Sequence, residues 1–213
     1  MVKRTLDTNI IVSAFVEEEA CVRRVDAFLS KEELDSGNNF LTPAVLDELN
    51  DLFVRFLQIL QNIKTIMDRT KQSLTKSYDE LEKTIDGGPD GSLARAFSNL
   101  IQFAKKSDDR GLTIQIITDT LKQRFARLYR LDIATSPSYD TVRERGDEID
   151  EIKRAIVTKK INKKGDAIIL AQLILFNRIT LNDVQLYTKN IVDFNSSSDA
   201  WKELCPFISV FSP

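Results

Sequence analysis

"RTLDTNIIVSAF", residues 4–15, sets an acid, a hydroxyl and an amide (Asp7, Thr8 and Asn9) inside an otherwise apolar run. Leu6, Ile10, Ile11, Val12, Ala14 and Phe15 are core material. Polar groups buried among them without partners would cost on the order of 2–7 kcal/mol each. Either the chain bends into solvent here, or these groups are held in place for use. Residues 2–6 read as a short buried strand and 10–15 as the helix after it, which puts Asp7 at the strand's carboxyl end.

Working outward, residues 22–29 continue as an amphipathic helix, and Ser36-Gly37-Asn38-Asn39 is turn chemistry. Residues 40–42 read as a short strand. Thr42-Pro43 then opens a helix, with Thr42 as N-cap and Pro43 at the first helical position. From Leu49 the apolar spacing alternates four and three through Phe53, Phe56, Leu60, Ile63 and Met67 to Ile85, a heptad-like stripe. Asp86–Gly91 breaks it, and two further amphipathic stretches follow over 92–104 and 114–131. Residues 139–157 form a charged amphipathic helix, 167–176 an apolar helix opened by Asp166, and 184–188 and 207–211 two strands. The expected fold is α/β: a central parallel sheet flanked by helices, with a long, mainly helical insertion. Residues 1–50 and 150–213 form the core and 51–149 the insertion, whose apolar faces most simply pack against each other.

Composition excludes several chemistries. The 213 residues include no histidine, which removes Ser-His-Asp and Cys-His catalysis, histidine general bases and His-ligated zinc. Cys21 and Cys205 are too few for a disulfide framework and are expected to be small buried residues in a reducing compartment. A net charge of −2 announces no global basic field. No stretch approaches the roughly 20 apolar residues of a membrane span, and no signal-peptide core is visible, so the expectation is a cytoplasmic protein without membrane contact. An enzyme built from this chain must use acids, lysines, hydroxyls or a metal held by carboxylates.

Acids recur at the junctions of apolar elements. Asp7 follows a strand, Glu48 lies on the helix begun by Thr42-Pro43, Asp166 precedes "AIILAQLILF", and Asp193 follows "VQLYTKN". In a parallel α/β sheet, strand ends and the starts of the following helices share the edge where ligands bind. Four carboxylates there repel one another unless a cation neutralises them, and oxygen ligands select Mg²⁺ or Mn²⁺.

Taken in order, "LDTNIIVSAF", "LTPAVLDEL", "GDAIILAQLI" and "LYTKNIVDF" resemble the four motifs of PIN-domain ribonucleases. The resemblance covers about half the chain and is carried by the ordered set of four. It implies Asp7, Glu48, Asp166 and Asp193 as catalytic acids, with Asp7, Asp166 and Asp193 as Mg²⁺ or Mn²⁺ ligands. Thr8, Asn9, Thr188 and Asn190 would support them. The implied activity is metal-dependent endoribonucleolytic hydrolysis of single-stranded or looped RNA. Asn190 stands where many family members carry Asp, with Asp193 three residues on. Lys163 and Lys164, in the one dense basic patch, are either a phosphate-steering rim or a solubilising loop.

Plainer readings stand beside these. Asp166 serves as an N-cap, Asp193 as a turn residue, and Asp47 competes with Glu48 for the inward position, one residue or about 100° away. Glu144, Asp147, Glu148, Asp150 and Glu151 read as a solvated helix face. An aspartyl-nucleophile phosphatase usually wants an acid at position 9, where Asn stands. The other alternative is a catalytically weakened PIN-fold scaffold whose helical insertion binds a protein partner or inhibitor.

Overall fold

A computed structural model describes residues 1–15, 18–51, 142–157, 164–196 and 201–213, with isolated positions 54, 58, 61, 65, 119 and 123; within helices the side chains of Leu34, Asp35, Lys164, Asp193, Asn195 and Ser196 lie outside the description. The opening stretch folds as its pattern predicts. Strand β1 (Val2–Leu6) ends one residue before Asp7, and α1 (Thr8–Phe15) follows at once. Helices α2 (Glu19–Phe28) and α3 (Lys31–Asp35) lead to residue 39. There Arg4 N donates to Asn38 O at 2.8 Å and Phe40 N to Arg4 O at 3.0 Å, a parallel bridge between Arg4 and Asn39. The strand expected over 40–42 does not form: the pairing beside β1 is the single bridge at Asn39, and the chain then turns directly into a helix described over 43–51, here α4.

Thr42 does start α4. Its carbonyl accepts from Leu46 N at 3.1 Å, and its hydroxyl lies 3.4 Å from Val45 N. Farther on come α5 (Gly146–Val157), α6 (Lys164–Thr180), β2 (Asp183–Tyr187), α7 (Ile191–Ser196) and β3 (Ile208–Phe211). The helix expected over 139–157 is interrupted: residues 142–143 are helical, the chain turns at 144–145, and α5 resumes at Gly146, while 139–141 lie outside the described residues. Glu144 in the turn and Asp147, Glu148, Asp150 and Glu151 on α5 are exposed, and Ile149, Ile152 and Ile156 are buried.

Strands β1, β2 and β3 are parallel and adjacent in that order, with Arg4 opposite Gln185 and Leu186 opposite Val210. Since Asn39 lies on the other side of β1, the spatial order is 39–β1–β2–β3. The chain leaves β1 to one side and returns on the other. That reversal opens a crevice at the carboxyl end of β1, the place where open α/β sheets bind ligands.

Helix α6 is buried on nearly every side, from Asp166 and Ala167 through Ile169 to Asn177, as an almost wholly apolar segment must be. Phe176 stacks on Phe40 with ring centroids 4.2 Å apart, tying α6 to the start of α4. The two buried amides on α6 are satisfied. Gln172 accepts from Ala44 N at 2.9 Å, and Asn177 donates to Asn182 O at 2.7 Å. Trp201, fully enclosed, donates through Nε1 to Phe194 O at 3.0 Å. Cys21 and Cys205 are free and buried, and burial pushes both thiols up.

Most of the expected insertion lies outside the described residues, including the heptad stripe past Leu49, the stretch at 92–104, and all of 114–131 but positions 119 and 123, which are helical and exposed. Positions 54, 58, 61 and 65, which fall off the apolar stripe, are helical and exposed. Among the described residues no helix is long and apolar enough to cross a membrane.

Candidate functional site

The polar triplet of the opening stretch is joined to the end of the neighbouring strand. Asp7 N donates to Tyr187 O at 2.9 Å, which continues the β1–β2 ladder one residue past the end of β1 and fixes the aspartate backbone. Thr188 Oγ1 donates to Asp7 Oδ2 at 2.5 Å, and Asn9 Nδ2 donates to the same oxygen at 2.6 Å. Asn9 Nδ2 also reaches Thr188 Oγ1 at 3.0 Å, and Asn190 N donates to that hydroxyl at 3.0 Å. Asn9 Oδ1 accepts from Lys189 N at 3.0 Å. The Thr188 hydroxyl thereby uses its one donor and both acceptor sites. Asp7, Thr188 and Asn9 are thus held between two strand ends, and the side chains of Asp7 and Asn9 are partnered within the fold.

A second link brings in α4. Thr8 Oγ1 donates to Glu48 Oε2. Glu48 Oε1 lies 3.5 Å from where a Cβ on Gly165 would stand, so this carboxylate sits against the first turn of α6, next to Asp166. Asp47 is exposed, so the rivalry between the two acids resolves geometrically toward Glu48. The Gln172 contact with Ala44 N docks α4 on α6 and sets that approach. Asp166 is itself buried and lies in the first turn of α6, whose start at Lys164 overturns the reading of Asp166 as an N-cap.

Asp7, Thr8, Asn9, Glu48, Asp166 and Asn190 line one cleft of about 470 Å³, with Val12, Ser13, Asp51, Ile169 and Lys189. The cleft is therefore acidic and walled on one side by core helices. Asp7 is raised to about 6, chiefly because burial disfavours its charge and also because the Asp166 and Glu48 charges face it; the Thr188 hydrogen bond opposes the rise. Among the described residues no three Asp, Glu or Cys side chains form a ready-made metal cage.

Asp193 falls on α7, in place of a turn, but its side chain lies outside the described residues, as does all of Lys163 and the side chain of Lys164. Three cleft residues carried no expectation: Ser13, Asp51 and Lys189. Lys189 Nζ donates to Ser13 Oγ at 3.0 Å and to Glu18 Oε2 at 2.5 Å. Lying between Thr188 and Asn190, it had a signal in its neighbours; as a residue it looked like the end of a strand. Against known protein families, curated proteins and solved structures, the chain has no match.

Proposed function

We propose that the chain is a PIN-like, metal-dependent phosphodiesterase that hydrolyses RNA in the cleft at the carboxyl end of β1. The observation that carries this reading is the convergence of Asp7, Glu48 and Asp166 on one cleft from three elements far apart in sequence. The donor set fits a hard divalent cation such as Mg²⁺ or Mn²⁺: it is made of carboxylate oxygens, and Asp7 bears repulsion from both neighbouring acids that a cation reverses. Asp7, Asp166 and, from α7, Asp193 would hold the cation.

Thr188 and Asn9 hold the Asp7 carboxylate in one orientation, and Thr8 does the same for Glu48. Glu48, beside Asp166 and partly exposed to the cleft, is positioned to accept a proton from the attacking water. The cation supplies the Lewis acidity that activates water and offsets charge developing on the phosphate. The two buried free cysteines and the absence of histidine agree with a cytoplasmic, carboxylate-based enzyme.

Cleavage of an unstructured RNA tests the proposal. The protein should cut with Mg²⁺ or Mn²⁺ and stop in EDTA, and Asp166→Asn should lower the rate by about a hundredfold or more. Cleavage that survives EDTA, or an undiminished Asp166→Asn enzyme, would sink it. A folded protein inert towards RNA with either metal leaves the weakened PIN scaffold, whose helical arm binds a protein, as the better reading.

A further inference from the structure

Among the described residues lining the cleft, Lys189 is the single cation, in a lining it shares with Asp7, Glu48, Asp51 and Asp166. Its ammonium is turned to the rim, donating to Ser13 Oγ at 3.0 Å and Glu18 Oε2 at 2.5 Å. Glu18 begins the run into α2, and its backbone N–H donates to Ser13 O at 2.9 Å, so Ser13, Glu18 and Lys189 form one small network there. The lysine backbone is equally fixed, by its N–H on Asn9 Oδ1 at 3.0 Å. The Lys189–Glu18 pair is 37% and 42% exposed, so it contributes little to stability and water or an anion can reach it.

We propose that Lys189 is the phosphate-holding cation of the cleft, and that Glu18 is an internal stand-in anion that a backbone phosphate of the substrate displaces. The proposal rests on the phosphodiesterase reading for its substrate class. An acidic cleft that accepts a polyanion needs a positive group beside the cation site, and Lys189 is the described side chain that can provide it. Glu18 holds the ammonium in place through one hydrogen bond, and its own carboxyl is held below its ordinary value chiefly by that bond. A phosphate presents more acceptor oxygens than a carboxylate and binds lysine as a point charge. The exchange favours an anion with a second phosphate engaged deeper in the cleft over a free carboxylate.

The test is binding of a short labelled oligouridylate, phosphorothioate-linked to resist cleavage, to the full-length protein with Mn²⁺ present, followed across salt concentration, with cleavage kinetics of the ordinary oligouridylate alongside. Lys189→Gln should weaken binding about fivefold or more and reduce the salt slope by about 0.7, the loss of one single-strand phosphate contact. Lys189→Arg should restore both, and Glu18→Gln, which removes the competing anion, should bind more tightly than the natural sequence. In kinetics Lys189→Gln should raise KM and leave kcat nearly unchanged. A natural protein that does not bind the oligouridylate, or a Lys189→Gln protein with the same affinity and slope, overturns the proposal. Lys189-dependent binding without any metal-dependent cleavage upholds it and removes the nuclease reading. Intact cleavage with an unchanged Lys189→Gln KM does the reverse.

Discussion

Asp7 is held in two opposing ways. Thr188 and Asn9 donate to its Oδ2, while burial and two facing acids disfavour its charge. The second influence is larger, since the carboxyl is raised from 3.8 to about 6. A folded value above the unfolded one means that the fold binds the proton better. The associated stability is fully present below about pH 4 and is lost as pH rises through about 6, by roughly 3 kcal/mol for a shift of about two pH units. Asp7→Asn keeps the side chain's size and an acceptor for Thr188 but removes the charge. In chelator at pH 8 the variant should unfold later than the natural protein, by about 1–3 kcal/mol, and the gain should vanish near pH 4. Urea unfolding at the two pH values checks this; a variant less stable at pH 8 would mark Asp7 as a structural acid instead.

At the scale of elements, the site depends on how α4 meets α6. Gln172 is a buried polar residue in an apolar helix, and it accepts from Ala44 N in the first turn of α4. Gln172→Leu should leave that N–H unsatisfied and cost about 1–3 kcal/mol in denaturant unfolding. Glu48 lies about one turn beyond Ala44 on the same face of α4. It would lose its fixed approach to Gly165, so any metal-dependent rate should fall as well. An unchanged unfolding midpoint would show that α4 is docked by its apolar contacts alone. Much at this scale was legible. Apolar and β-branched runs marked β1, β2 and β3, and Thr42-Pro43 marked the start of α4. What failed has physical causes. Helix α6 begins two residues before Asp166 because Lys164 and Gly165 complete its first turn. Helices α3 and α7 are only five and six residues long, too short to show a period.

Across the whole molecule, the decisive feature is the reversal of strand order around β1, which a linear reading infers only from the sum of its parts. It brings residues 7, 48 and 166 to one cleft, as the junction acids led us to expect. Asp51 was not legible, because nothing local separates an acid after Asn50 from ordinary surface residues, and Lys189 was marked only by its neighbours Thr188 and Asn190. Their place follows from the sheet and from α4. That the clustered acids hold a hard cation is the central claim, and crystals soaked in Mn²⁺ test it most directly. An anomalous peak is expected in the cleft, coordinated by Asp7 and Asp166 and lost in Asp7→Asn crystals. A cleft that stays empty at saturating Mn²⁺, or a Mn²⁺ ion bound elsewhere on the protein, would contradict it.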